Sequence, residues 1–248
     1  MNERDEAIIR LLRVHQYMTV QELCTQVKAS PATIRRALTR LNESGHLQYV
    51  NGGALLLKPD VGAKPEMMPQ KLRIVHAALD LISPHDTLFL DAGSTNNLLA
   101  DALIAIDHIC VVTNSIYIAY KLYTGNPTID VFVCGGNVGN EGPMAGMVGS
   151  LAESLIGSMR AHTFFMGAAA VHEEHGITDP YMNSASLKRS MMEKAQQTVL
   201  LCDHTKFGTV CRAYVSPLNR VDQLITDAQA SEAVPSALLT LGRTVLTV

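Results

Sequence analysis

No stretch of this 248-residue chain approaches 18 consecutive apolar residues, so no membrane-spanning helix is expected. Its first residues, Met1-Asn2-Glu3-Arg4-Asp5-Glu6, lack the basic-then-apolar order of a signal peptide. The cysteines Cys24, Cys110, Cys134, Cys202 and Cys211 are scattered, odd in number and in no Cys-x-x-Cys pair. That argues against a disulfide framework and against a zinc site. A reduced, cytoplasmic compartment is the simplest expectation. Internal repeats, low-complexity tracts and a His-Glu-x-x-His motif are also absent, and neither metal nor cofactor is expected. Charged residues make up only 17%, yet hydrophobic residues reach 47%, which is globular rather than disordered. At roughly 100–200 residues per domain, the length suits one large domain or a small one plus a medium one.

The net charge of −3 is unevenly spread. Residues 1–58 carry +3 and the remainder −6, a mildly basic head on an acidic body. In the head, Ile8, Leu11, Leu12 and His15 share one helical face. Tyr17-Met18-Thr19-Val20 breaks that pattern. Thr19 then caps a second helix over about 20–28, and Glu22 completes a capping box. Ser30 caps a third helix with Pro31 at its first position and Ile34, Leu38 and Leu41 inward, and Gly45 ends it. Two short strands, 47–50 and 54–57, are joined through Asn51-Gly52-Gly53, a strong hairpin signal. Three helices and a hairpin make a winged helix-turn-helix.

The third helix presents Thr33, Arg35, Arg36, Thr39 and Arg40 away from its apolar stripe. Hydroxyls and guanidiniums on an open face suit a major groove, and Thr19 and Ser30 stand at helix N-termini that favour phosphate. On charge alone, a solvated surface helix explains the arginines equally well; the whole-module context favours DNA.

Pro59, Gly62, Pro65 and Pro69 mark residues 59–70 as a linker. From 71 to 248 the chain alternates. Strands are expected near 87–91, 109–113, 129–133, 163–168, 198–203, 223–226 and 244–247. Helices are expected near 71–82, 94–104, 115–123, 148–158, 184–197 and 231–240. The pattern predicts a three-layer α/β domain, a parallel sheet covered on both faces. Three loops at strand ends carry small polar residues: Asp91-Ala92-Gly93-Ser94-Thr95, Thr113-Asn114-Ser115 and Gly135-Gly136-Asn137. Each singly also suits a tight turn and a helix cap. Together, outside the carboxyl ends of strands, they suit an anion. Asp203-His204-Thr205-Lys206-Phe207-Gly208 adds Lys206 as a point charge, and Lys188 and Arg189 are further cation candidates. His172-Glu173-Glu174-His175 is a dense polar turn, read as a hinge or rim rather than a metal site, and Cys134 as a buried thiol.

Thr33-Ile34-Arg35-Arg36-Ala37-Leu38, with Leu41, Glu43, Gly45 and Gly52-Gly53-Ala54, resembles the head of DeoR-type bacterial transcription regulators. The chain departs from that pattern at Ala37, Tyr49 and Asn51, where the family usually has Asp, Arg and His. The body resembles the same family's sensor domain through Asp91 to Thr95, Thr113 to Ser115, Gly135-Gly136 and Asp203 to Gly208, in that order. The resemblance implies a fold like ribose-5-phosphate isomerase and sugar-phosphate sensing. It places the ligand on Asp91, Gly93, Ser94, Thr95, Thr113, Asn114, Ser115, Gly135, Gly136, Lys188, Asp203 and Lys206. Ser184 and Ser186 stand where the family often has glutamates.

Two functions follow. One is a DNA-binding regulator, a repressor of a carbohydrate catabolic operon, whose operator affinity a phosphorylated sugar controls. The other is a sugar-phosphate isomerase or deaminase on the same scaffold. Proton abstraction beside a carbonyl needs a positioned base. Asp91, Asp179 and Asp203 offer carboxylates, but Ser184 and Ser186 lack them, and a free-standing isomerase has no use for a winged head. The regulator is expected, with no catalytic residue, and with double-stranded operator DNA and a phosphorylated sugar as partners. Paired half-sites imply a homodimer or homotetramer.

Overall fold

The computed structural model describes residues 3–15, 17–44, 46–50, 52–55, 67–138, 146–227, 234 and 244–248. Contacts divide the chain into two compact units, Met1–Val61 and Gly62–Val248.

The first unit runs α1 (Glu3–His15), β1 (Tyr17–Thr19), α2 (Val20–Val27), α3 (Pro31–Glu43), β2 (Gln48–Val50) and β3 (Gly53–Leu55). Both caps form as expected. Thr19 Oγ1 accepts from the Glu22 N–H at 3.2 Å, while Glu22 accepts from the Thr19 N–H at 2.7 Å. Ser30 Oγ accepts from the Thr33 N–H at 3.3 Å, and Pro31 opens α3. The stripe Ile34, Ala37, Leu38 and Leu41 buries against Ile8, Leu12, Leu23 and Leu47.

The wing is three-stranded, in order β1-β3-β2, rather than a two-stranded hairpin. Residues 17–19, read only as a break between helices, pair antiparallel with β3, Met18 opposite Ala54. Both of these side chains are buried, which gives the pairing its driving force. A Cβ on Gly53 would stand 2.5 Å from the Met18 carbonyl oxygen, so only glycine lets the strands approach this closely. Gly45, Asn51, residues 56–57 of the expected second strand and most of the 59–70 linker lie outside the described residues.

The second unit contains α4 (Met68–Leu79), β4 (Thr87–Leu90), α5 (Ser94–Leu103), β5 (Cys110–Thr113), α6 (Ile116–Gly125) and β6 (Asp130–Val133). It continues through β7 (Asn137–Val138), β8 (Met147–Val148), α7 (Ser150–Ser158), β9 (Ala161–Gly167), β10 (Ala170–His172) and β11 (Gly176–Asp179). Then come α8 (Met182–Lys194), β12 (Ala195–Leu201), β13 (Ala213–Ser216), β14 (Gln223–Thr226) and β15 (Thr244–Thr247). Seven strands form a parallel sheet in order β15-β14-β12-β9-β4-β5-β6.

Strand alternation splits the core into two layers. Leu88, Leu90, Phe165 and Leu201 pack under α4, α5 and α6. Phe89, Phe164, Met166 and Leu200 pack under α7 and α8 on the other face. This three-layer α/β arrangement is the expected fold class.

Two departures matter. Helix α8 ends at Lys194, not near 197, because Ala195 and Gln197 pair with Ala161 and Thr163. Gln197 Nε2 donates to Thr163 Oγ1 at 2.7 Å, so the strand claims residues a helical reading assigned to 184–197. A second, antiparallel sheet, β10-β11-β13, was not foreseen, since strands this short carry little periodicity. It covers the α8 side through Val171, Ile177 and Val215. His172 to His175 form the hairpin turn between β10 and β11, the two imidazoles 4.8 Å apart. Of the expected 231–240 helix, only residue 234 is described.

Candidate functional site

Strands β4, β9 and β12 run parallel, so their carboxyl ends lie together. Over them opens a cavity of about 240 Å³. Its lining comes from the α5 N-terminus, the turn after β9, Asp179 at the end of β11, α8, the turn after β12, and Lys71 of α4. A second cavity of about 30 Å³ is lined by Asp91, Asn114, Ser184, Lys188 and Met191. Among the described residues no group of three or more His, Cys, Asp or Glu could hold a metal ion.

One end of the larger cavity gathers a helix N-terminus and two lysines. Gly93 precedes α5 and no side chain caps the helix, so its first-turn N–H groups and positive dipole end face the cavity. Lys71 Nζ donates to Ser94 Oγ at 2.8 Å. Lys206 arrives from a 3-10 turn, His204–Lys206, that Asp203 caps by accepting from the Thr205 N–H at 3.1 Å. His204 fastens this turn: its N–H and Nδ1 meet the two oxygens of buried Asp227 at 2.8 and 2.9 Å. Lys206 lines the cavity, and among the described residues it makes no ion pair.

The other end sets one ammonium against two buried carboxylates. Lys188 Nζ lies 3.0 Å from Asp179 Oδ2 and 3.2 Å from Asp91 Oδ2, and donates to the Gly167 carbonyl at 2.9 Å. Burial pulls the Lys188 ammonium down, but the two carboxylates outweigh it and hold it above the usual lysine range. Burial pushes the Asp91 carboxyl up, against the opposing pull of Lys188 and the Gly167 N–H. Asp91 Oδ1 accepts from Asn96 Nδ2 at 2.5 Å and from the Gly167 N–H at 3.0 Å, tying β4 to β9. Ser184 Oγ donates to Asp179 Oδ2 at 3.1 Å. Lys188, a cation candidate from sequence, lines both cavities, and two carboxylates and a carbonyl already engage it.

The residues named from sequence separate into three groups. Gly93, Ser94, Thr95, Lys188, Asp203 and Lys206 line the larger cavity, and Asp91 and Asn114 the smaller. Thr113, Ser115, Gly135 and Gly136 line neither. Thr113 Oγ1 accepts from the Ser115 N–H at 3.0 Å, and Ser115 Oγ accepts from the Ile118 N–H at 3.3 Å as the α6 cap. Gly136 has φ +123°, and a Cβ there would stand 2.4 Å from the Val148 carbonyl, so it serves the β7–β8 pairing. The reason is strand order. The cavity sits over β4, β9 and β12, whereas β6 is the far margin of the sheet. Asn114 works as a staple, accepting from the Ala92 N–H at 2.8 Å and donating to the Met147 carbonyl at 3.2 Å.

Sequence reasoning missed Lys71. The signal was present: Lys71, Ile74, Val75 and Ala78 are spaced as a buried helical stripe, and a lysine inside such a stripe asks for a polar partner. It also passed over Asp179 as a ligand of the Lys188 ammonium. Cys134 is buried, its thiol pushed up to about 11 by burial, as an inert core thiol should be.

In the first unit, Arg35, Arg36 and Thr39 are exposed on α3 and Thr33 is half-buried. Arg40 is exposed too, but its fork grips buried Asp5 of α1, Nη2 at 2.6 Å and Nε at 3.2 Å. The hydrogen bond to Asp5, then the charge, holds its guanidinium further above the usual range. Arg40 thus ties α3 to α1. Thr19 and Ser30 use their hydroxyls as caps. Ala37 points into the core, and the Tyr49 ring packs against it, so neither stands on the open face of α3.

Comparison with known proteins agrees with this division. Residues 4–60 match the DeoR-like helix-turn-helix domain and residues 66–228 the DeoR C terminal sensor domain. The HTH-type transcriptional regulator GolR of Listeria innocua is 34% identical over 239 residues, covering 94% of this chain and 92% of that protein. The HTH-type transcriptional repressor GlcR of Bacillus subtilis is 31% identical over 237 residues, 93% and 90% of the two chains. The glycerol-3-phosphate regulon repressor of Escherichia coli is 26% identical over 241 residues, 95% and 94% of the two chains. Among solved structures, the ribose 5-phosphate isomerase of Methanocaldococcus jannaschii is similar at a TM-score of 0.42 and 15% identity, covering 56% of this chain and 54% of that one.

Proposed function

The chain belongs to the DeoR family of HTH-type transcriptional regulators, and from that premise we propose that it is a repressor released or engaged by a phosphorylated sugar in the second unit. Its relatives are named as regulators and repressors, and the chain is a regulator rather than an enzyme. The observation that carries the ligand class is the convergence of Lys71, Lys206 and the uncapped α5 N-terminus on one cavity. The Lys206 ammonium and a set of backbone donors match a phosphate, with Lys71 adding positive charge at the rim through Ser94. The Asp179, Ser184 and Lys188 end, where two carboxylates share one ammonium, has carboxylate acceptors in excess and matches neutral hydroxyls, which donate, rather than a second anion. A sugar phosphate presents both chemistries at its two ends.

In this reading Thr33, Arg35, Arg36 and Thr39 face the DNA major groove, with bases or phosphates as their targets. Arg40 holds α3 in place rather than reading bases. A DNA reader of this kind works in the cytoplasm, and among the described residues no helix is long and apolar enough to cross a membrane. The regulated genes would serve carbohydrate catabolism.

The test is a thermal-shift screen of the full chain against phosphorylated sugars, beside the same sugars without phosphate. A ligand at 100 times its Kd adds about 2.7 kcal/mol of stability. Protection by a neutral sugar equal to that by its phosphate would refute the assignment of the anion end.

A further inference from the structure

The larger cavity has an aromatic wall at one end. Among the described residues that line it, only Tyr181 carries an aromatic ring, and it belongs with Asp179 and Ser184 rather than with Lys206. Tyr181 is half-buried, yet it packs against none of the buried apolar clusters of the second unit. Core packing therefore does not account for it.

The ring stands on the short turn from β11 into α8, and that turn is fixed from two strands. Asp179, at the end of β11, accepts from the Tyr181 N–H at 2.9 Å through Oδ1. Arg212, just before β13, donates from Nε to the Pro180 carbonyl at 2.5 Å. Arg212 is itself anchored on both sides. Ala213 pairs with Asp179, and the Cys211 N–H donates to Thr178 Oγ1 at 2.8 Å. The exposed Arg212 guanidinium also lies over the Tyr181 ring, 5.9 Å from its centre. Among the described residues no aromatic ring stacks on Tyr181.

A cyclic sugar has two kinds of surface. Its hydroxyls project outward and donate, whereas its C–H bonds gather on a face that is apolar and slightly positive. The face of an aromatic ring is apolar and carries the negative part of its quadrupole, so it suits the C–H face. The carboxylate beside it suits the hydroxyls. An open-chain sugar has no fixed C–H face, and stacking it would first require ordering a freely rotating chain. Resting on the reading of this cavity as a sugar-phosphate site, we propose that Tyr181 is a platform that selects the ring form of the sugar, with Arg212 as the residue that positions it. The phosphate stays with Lys206 and the α5 N-terminus. The sugar ring lies on Tyr181 with its hydroxyls toward Asp179 and Ser184.

The test is calorimetric titration of the full chain with aldopentose and aldohexose phosphates, each beside the alditol phosphate made by reducing it. The two share their carbons and phosphate, but the alditol cannot close a ring. The ring phosphate that binds best does so about tenfold more tightly than its alditol, the size of one aromatic contact. Tyr181→Ser loses that preference, Tyr181→Phe keeps it and Arg212→Ala reduces it. Inorganic phosphate binds all three variants as it binds the parent, which also shows that they are folded. The chain has no tryptophan, so Tyr181→Trp carries a single reporter, and its emission shifts on saturation with the ring phosphate. Equal affinity of the parent for ring and alditol phosphates, or a preference that survives in Tyr181→Ser, overturns the platform and leaves the anion end standing. If no phosphorylated probe binds the parent, the sugar-phosphate reading falls and the platform falls with it.

Discussion

Replacing Lys188 with Met tests the electrostatic reading of the cavity floor. The side chain keeps its length, but the ammonium that lies 3.0 Å from Asp179 and 3.2 Å from Asp91 is gone. Both carboxylates are buried, 4% and 2% exposed, so two anions are left close together without their shared cation. Removing one partner from a buried pair costs about 3–5 kcal/mol, and that is the expected loss near neutral pH. The loss should depend on pH. Burial already pushes the Asp91 carboxyl above its ordinary value, and without Lys188 it rises further. A carboxyl raised in the folded state binds more protons there than in the unfolded chain. Its contribution is therefore complete below the unfolded value, about 3.9, and is lost as pH rises through the folded value. The deficit of Lys188→Met should shrink on acidification and widen toward alkaline pH. Urea unfolding followed by circular dichroism, on parent and variant at several pH values, measures it. Adding Asp91→Asn to Lys188→Met should recover part of the loss by removing one unpaired anion. A deficit that is the same at every pH, or a double variant no more stable than the single one, would refute the reasoning.

Lys206→Ala should weaken binding of the phosphorylated sugar found by the thermal screen by about tenfold or more, one charge-assisted contact of 1.5–3 kcal/mol. Titration of operator DNA without ligand should be unchanged, and the ligand's effect on DNA affinity should vanish. Arg35→Ala or Arg36→Ala should cost about 1–3 kcal/mol of operator binding if the side chain reads a base. If it holds only phosphate, the loss should be equal on all sequences and the salt slope should fall by about one unit; a double variant with unaltered affinity and slope would remove α3 from the DNA-reading role. A chain cut to begin at residue 66 should fold, keep ligand protection in the thermal screen and lose DNA binding; an unfolded product would place the boundary elsewhere.

Local chemistry was legible from sequence wherever one or two neighbouring residues decide it. Thr19 with Glu22, and Ser30 with Pro31, announced two helix starts, because a cap satisfies donors three residues away. Alternating strands and helices announced a layered parallel sheet. The loops at 91–95 and 203–206 combine glycine, hydroxyls and lysine at strand ends, and residues of both line one cavity. What the sequence did not convey depends on which distant segments meet. Whether Gly135-Gly136 joins the cavity turns on strand order, and β6 lies at the margin while β9 lies between β4 and β12. Whether Lys188 offers its charge to a ligand turns on Asp91 and Asp179, which only the tertiary fold brings within 3.2 Å. Residues 17–19 became a strand because β3 came alongside, not through any pattern of their own. Caps and periodicity are short-range properties of the chain. Pairing, burial and the neutralisation of a charge belong to the packed structure, where the low dielectric makes each neighbour count.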